Sequence, residues 1–486
     1  MQPVLSPLRF ALALVLLATS AVHAQSDGRW PAELHAALAP TGIPREAVAL
    51  YAQEVDADAP VLAWNPDLPM NPASTMKLVT SLAALELLGP AYTWITEAYA
   101  QGILADGTLY GDLALKGYGD PKLDLERFTG LLAELRTRGV RDIRGDLVLD
   151  RTHFQLDDTD PARFDNEPSR PYNVIPDALL FNYKSVRMQF VPEPDSGTVQ
   201  ILTTPPFPQI QIANQLALGA ASCKAMPDRP QVQIDVPRLT FTGVFPRDCG
   251  EHERNFALLS PDDYALSLFR LTWTGMGGRF DGGVRAQAVD PQARRLLSVR
   301  SQPLAELIRD VNKFSNNVMA RQIFLSLSGA STSPATAERS GEIVREWVRS
   351  AGIDAPELVL ENGSGLSRTE RISAGSLARI LLRGFASPLM PEYVASLPIV
   401  GVDGTVKRRL GNSAAAGQAH IKTGYLSGVR AVAGYVRNRA GKWLAVVAIV
   451  NHPSAATAQE FQDAFIEWAY LQGEKECCTP CRNCAR

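Results

Sequence analysis

Ser74-Thr75-Met76-Lys77 puts a hydroxyl and a primary amine three residues apart, and on a helix residues i and i+3 share a face. A serine hydroxyl becomes a useful nucleophile only when a base takes its proton. A lysine can be that base if burial or a neighbouring cation strips its own proton near neutral pH. The chain holds ten lysines, and with serine at roughly 7% of residues about one Ser-x-x-Lys pair arises by chance. The spacing alone therefore decides nothing. Ser315-Asn316-Asn317 lies in a polar notch between Phe314 and Val318, at a helix or a helix entry. A serine and an asparagine two apart on a short bend can face one cleft, although both residues also favour caps and turns. Lys422-Thr423-Gly424, in "HIKTGYLSG", reads as a strand with Lys422 and Gly424 on one face. Gly424 would let a backbone or a ligand approach closely. Lys422 would supply a cation that lowers the pKa of Lys77 and attracts a carboxylate. About 0.04 copies of that tripeptide are expected by chance, so a stray edge-strand lysine is the weaker explanation.

The elements that must position these groups are legible in outline. From Met76 the apolar residues recur at helical spacing (Met76, Val79, Leu82, Ala83, Leu85, Leu87) and stop at Gly89-Pro90, which predicts a buried helix over 74–88. Lys77 inside that helix is costly as a buried ammonium unless it is paired or neutral. "AVALYAQEVD" and "APVLAWNPDL" read as a hairpin before it, and "AVAGYV" and "KWLAVVAIV" as another around Asn438–Gly441. Between 96 and 282 the texture is one of short strands, turns and prolines, with a helix at "LDLERFTGLLAELRTRG". Helical patterns return from Pro303, and "AQEFQDAFIEWAYLQG" closes the chain. The simplest organisation is one α/β (α+β) domain made from both ends of the chain, with the β-rich middle inserted into it.

The first residues, "MQPVLSPLRFALALVLLATSAVHAQ", carry one positive charge, Arg9, then an apolar run ending in Val22-His23-Ala24. This is the pattern of a secretory signal peptide over 1–24, too short to span a bilayer. No later stretch is apolar enough to cross a membrane. The formal net charge is −3, one unit more negative once Arg9 leaves, which offers no basic field for nucleic acid. In an exported chain the six cysteines are disulfide candidates. Cys223 and Cys249 share one middle region, and Cys477, Cys478, Cys481 and Cys484 crowd the tail at 473–486. The tail reads as disordered, its adjacent cysteine pair being awkward for zinc. The six histidines have no metal-ligand spacing, and no cofactor is called for.

Each of the three patterns occurs once, in the order Ser-x-x-Lys, Ser-x-Asn, Lys-Thr-Gly. In this the chain resembles the penicillin-binding proteins and serine β-lactamases. The long insertion between the first and second patterns, with "LKGYGDP", "GDLVLD", "NGSGLSR" and "GVDGT", is similar to the class C low-molecular-mass group, the penicillin-binding protein 4 type of D-alanyl-D-alanine carboxypeptidase (peptidase S13), over about residues 30–470. The resemblance implies a transpeptidase-like fold, an antiparallel sheet between helix layers, over 25–95 and 296–472. It implies an inserted second domain over 96–190 and 258–295, which itself carries a third, β-rich one over 191–257. The implied setting is the periplasm, the implied substrate a peptidoglycan stem peptide ending in D-Ala-D-Ala, and β-lactams the implied inhibitors.

Carried over residue by residue, Ser74 would be the nucleophile and Lys77 its base. Ser315 would relay a proton to the leaving amine, and Asn317 would hold Lys77 and the substrate amide. Lys422 and Thr423 would bind the terminal carboxylate. The backbone N–H groups of Ser74 and Tyr425 would form the oxyanion hole. Arg368 matches an arginine that binds the free end of a diaminopimelate side chain. Glu167, with Asp165 as a rival, matches the acid that joins it. Tyr425 departs from the pattern, since the family usually has Ser or Thr there, and this puts carboxylate binding in doubt. A β-lactamase and a non-catalytic peptidoglycan-binding scaffold are the rival readings.

Overall fold

The computed structural model describes residues 30–473 apart from 158, 194, 221, 224–229 and 332–333. The expected signal peptide at 1–24 and the four tail cysteines lie outside the described residues. Both ends of the described chain build one five-stranded antiparallel sheet. Its strands run in the spatial order Ala419–Leu426, Val429–Arg437, Trp443–Asn451, Val48–Glu54, Leu62–Trp64. Successive side chains on a strand point to opposite faces, and here both faces are covered. Val48, Leu50, Val446 and Ala448 pack with Leu34, Leu38, Phe461 and Phe465 of the helices Ala32–Leu38 and Gln459–Leu471. Ala49, Tyr51, Val447 and Ile449 pack on the other side, against the helices Met76–Leu88, Asn317–Gly329 and Ala374–Ala386. Burial on both faces explains why "LAVVAIV" is an unbroken apolar run rather than an alternating one. This is the expected antiparallel sheet between helix layers.

The predicted helix at 74–88 forms, with one local difference. Ala73–Thr75 is a 3₁₀ turn and the α-helix proper is Met76–Leu88. Residues 76 to 85 are all buried, as the apolar pattern requires. Ser74 thus sits on the tight turn at the helix head and Lys77 in the first α-helical turn.

The chain leaves this core at Ile95 and returns after Arg300. Ile95–Ala105 pairs antiparallel with both Thr108–Gly117 and Arg294–Arg300 in a seven-stranded sheet, and Leu147–Asp150 pairs parallel with Thr108–Gly117. Two three-stranded sheets follow in the segment 186–256. The helices Leu125–Thr137 and Pro261–Gly275 begin on side-chain caps, Asp124 accepting from the N–H of Arg127 and Ser260 from that of Asp263. Large buried residues of the whole insert, among them Phe128, Phe190, Phe241, Phe256 and Trp273, form their own cluster. Lys122 ties the insert to the core by pairing with Asp310 at 2.6 Å, and the Ser301 hydroxyl, accepting from the Trp94 N–H at 3.0 Å, joins the two core segments where the chain departs and returns.

Cys223 and Cys249, 26 residues apart, form a disulfide inside the β-rich part of the insert. Closing a loop of that length is worth roughly 3 kcal/mol through the unfolded chain. Replacing both cysteines with serine is expected to speed proteolysis within 191–257 while fragments of the two-ended core persist, read by mass mapping of timed digests. Unchanged digestion would show that the tether contributes nothing to the insert.

Candidate active site

Lys77 is the centre of the site. Its side chain is fully buried. Nζ lies 3.0 Å from Ser74 Oγ and 2.6 Å from Asn317 Oδ1, and it donates to the backbone carbonyl of Ser364. Burial pushes the amine well below the ordinary lysine range. The neighbouring Lys422 and Arg321 push it the same way, and Glu370 opposes them.

The Ser315 turn supplies the second wall. Ser315 has φ +55, and Asn316 caps the helix Asn317–Gly329 by accepting from the Met319 N–H at 3.1 Å. This kink lets two side chains two residues apart reach two different lysines. Asn317 meets Lys77, and Ser315 Oγ accepts from Lys422 Nζ at 2.8 Å. Lys422 is also fully buried, and burial lowers its ammonium to about 7. Its Nζ donates in addition to the Thr423 carbonyl at 2.7 Å.

Ser74 is placed by close packing of backbone. A Cβ on Gly424 would lie 2.7 Å from the Pro72 carbonyl oxygen and 3.1 Å from the Ser74 nitrogen. A Cβ on Gly365, whose φ is +79, would lie 1.9 Å from the Ala73 carbonyl oxygen and 2.7 Å from the Ser74 nitrogen. The Ala73–Ser74 peptide is thus pressed between two glycines from distant segments. Ala73 itself has φ +46, a left-handed conformation that costs a non-glycine residue on the order of 1 kcal/mol. Asn71 holds the approach to this turn. It exchanges hydrogen bonds with Asn451 at 2.8 and 3.0 Å, donates to the Ser367 carbonyl at 2.8 Å and accepts from the Ala73 N–H at 2.9 Å.

Sequence reasoning missed the third wall, the loop 361–370, apart from Arg368. Ser364 supplies a carbonyl to Lys77. Glu370, fully buried, accepts from the N–H groups of Glu361, Asn362 and Gly363 at 3.1, 2.9 and 2.9 Å and so fixes the turn that presents that carbonyl. Burial raises the Glu370 carboxyl. The glycines of "NGSG" were the available signal of a close approach.

The remaining expected residues are placed less centrally. Thr423 Oγ1 lies 2.9 Å from Thr405 Oγ1. Tyr425 is exposed, and the Arg430 guanidinium stacks 5.0 Å from its ring centre. Arg368 donates to the Ser427 carbonyl at 3.0 Å and lies 4.6 Å over the ring of Phe164 from the insert. Glu167 is exposed and pairs with Arg170 at 3.3 Å, while Asp165 accepts from Tyr172 and Asn173 at 2.8 and 2.6 Å. The insert therefore reaches Arg368 through an aromatic ring, and both acids are engaged within their own loop. A cavity of about 1010 Å³ borders Ser315 and Asn317 and is closed on the insert side by Lys122, Arg170 and Tyr172. A second, of about 480 Å³, lies between Phe164 and the segment Leu366 to Thr369. Among the described residues no cluster of three or more metal-ligating side chains occurs, and no helix is long and apolar enough to cross a membrane.

A serine against a buried amine of depressed pKa, with a second lysine beside a hydroxyl-bearing turn, can carry out acyl transfer. Comparison with known proteins is consistent with that chemistry. Residues 31–471 match the D-Ala-D-Ala carboxypeptidase 3 (S13) family. The chain is 30% identical over 416 residues to a D-alanyl-D-alanine carboxypeptidase of Actinomadura sp. (strain R39), covering 81% of this chain and 75% of that one. Its fold is similar to that of penicillin binding protein 4 (dacB) from Haemophilus influenzae, with a TM-score of 0.74 at 25% identity over 90% of this chain and 99% of the other. The same Haemophilus protein complexed with a β-lactam gives a TM-score of 0.70, also at 25% identity over 90% and 99% of the two chains. The chain belongs to the S13 family and is a serine-type D-alanyl-D-alanine carboxypeptidase.

Proposed function

We propose that Ser74 and Lys77 carry the carboxypeptidase reaction through an acyl-enzyme on Ser74. The observation that carries this reading is the set of three contacts at Lys77 Nζ. A neutral amine has two N–H donors and one lone pair. The Asn317 and Ser364 carbonyls take the two donors, and the lone pair is left for the Ser74 hydroxyl 3.0 Å away. Ser74 Oγ attacks the carbonyl between the two terminal D-alanines as its proton moves to Lys77. The oxyanion rests between the backbone N–H groups of Ser74 and Tyr425, an arrangement worth several kcal/mol in comparable sites. Ser315, accepting from Lys422, keeps its own hydroxyl proton free; it gives that proton to the departing nitrogen and takes in turn the proton that Ser74 gave up to Lys77, which leaves Lys77 neutral again. The C–N bond breaks, D-alanine leaves, and water with Lys77 as base then cleaves the Ser74 ester.

Lys422 and Thr423 receive the terminal carboxylate, with Gly424 letting the substrate lie close to the strand. Arg368, with Glu167 or Asp165 of the insert, faces the side chain of the third stem residue. The nested division at 96–190 with 258–295 and at 191–257, export through the signal peptide and residence in the periplasm complete the reading. Cleavage of cross-links between two stem peptides is a second reading, supported by the cavity of about 1010 Å³ beside Ser315, which has room for more chain than a single D-alanine.

Benzylpenicillin tests the core of the proposal, because its opened ring stays attached and blocks the water step. Intact mass is expected to show one drug molecule on the wild type and none on Ser74→Ala. Fast hydrolysis with no adduct would instead support a β-lactamase, and neither adduct nor hydrolysis a non-catalytic scaffold.

The two lysines set the pH dependence. Lys77 must be neutral to act as base, so activity rises as pH climbs through its depressed pKa. Lys422 must be charged to hold a carboxylate, so kcat/KM, which reports the free enzyme, falls as pH rises past about 7. In Lys422→Arg the guanidinium stays protonated, and whatever activity remains is expected to lose the falling limb. A limb that stays near pH 7 in that variant would remove Lys422 from this role.

A further inference from the structure

Tyr425 stands where the resemblance leads one to expect a small hydroxyl residue, and alternation along the strand places Thr423 and Tyr425 on one face. The Tyr425 side chain is exposed under the Arg430 guanidinium. A second small hydroxyl nevertheless adjoins Thr423, and it comes from another segment. Thr405 Oγ1 is 2.9 Å from Thr423 Oγ1.

Thr405 is held there by buried and partly buried structure. It lies in the 3₁₀ turn Gly404–Val406, whose Val406 side chain is fully buried. The preceding Asp403 pairs with Lys313 Nζ at 2.6 Å and accepts from the Ile399 N–H at 2.7 Å. A Cβ on Gly404, φ +58, would stand 2.6 Å from the Lys313 carbonyl oxygen. Lys313 precedes Ser315 by two residues. One anchor therefore sets both the Ser315 turn, which meets Lys422, and the Thr405 turn, which meets Thr423.

When two hydroxyls hydrogen-bond to each other, one proton is used between them and the other remains free. That free O–H is a donor suited to a carboxylate. We propose that Thr405 is a specificity-determining residue for the substrate's terminal carboxylate, supplying, together with Thr423, the short hydroxyl side chain that position 425 lacks. This rests on the reading of Lys422 and Thr423 as the carboxylate site.

The test compares two acyl-D-Ala-D-Ala peptides, one with a free C-terminus and one ending in a carboxamide. A thioester with no carboxylate reports whether each variant is folded and reactive. Thr405→Val is expected to lose about tenfold in kcat/KM on the free acid, mostly through KM, and less than twofold on the carboxamide and the thioester. Thr405→Ser is expected to restore the free-acid rate, and Thr405→Ala to repeat the loss if valine crowds the turn. An equal loss on all three substrates, or none on the free acid, would overturn the inference. Thr423→Val run in parallel separates the two levels. If it discriminates between acid and amide while the Thr405 variants do not, only the inference falls; if neither discriminates, the carboxylate reading of Thr423 falls as well.

Discussion

A lysine amine with no access to water sets the terms for the rest of this molecule. An ammonium at Lys77 would be desolvated and would lie near Lys422 and Arg321. A neutral amine escapes most of that penalty but still needs partners for its two N–H groups. Those partners come from the Asn317 side chain and the Ser364 carbonyl, 240 and 287 residues away in the chain. The site exists only when the helix Met76–Leu88, the Ser315 turn and the loop 361–370 are packed together. Folding and assembly of the contacts at Lys77 are one event.

The scaffold answers this demand with rigidity rather than with charge. Two glycines, Gly365 and Gly424, close on the Ala73–Ser74 peptide so tightly that a methyl group at either would collide with backbone. The Asn451 side chain binds both the N–H and the carbonyl of Asn71 at the end of the sheet. Glu370 gathers three N–H groups of the loop that presents Ser364. Each device fixes backbone, and backbone donors and carbonyls are the groups that an acyl-transfer site needs in fixed positions.

The insert plays a different part. It has its own hydrophobic cluster, and the hydrogen-bond partners described for Lys77 all come from the two-ended core. It walls the two cavities beside the site, through Phe164 and Tyr172 among others. In this arrangement the two-ended core holds the chemistry and the insert shapes what can approach it.

The sequence by itself determined the local parts. Helical spacing over Met76–Leu87 and the hairpin around Asn438–Gly441 are read from short-range periodicity, and both elements form. The three short patterns named side chains that do meet in the folded chain, Ser74 and Asn317 at Lys77 and Ser315 at Lys422. Other things were decided only by the tertiary structure. Ser364 acts through a carbonyl that every residue possesses, and Glu370 acts through a turn that it closes from within the core. Thr405 meets Thr423 through an anchor on Lys313. Ser364 and Thr405 fall in stretches that the resemblance singles out, but nothing there says which atom makes the contact, and the contacts that give these residues meaning join segments with no common period. A pattern can record which side chains a reaction needs. Which backbone atoms meet them is set by packing, which depends on the whole chain at once.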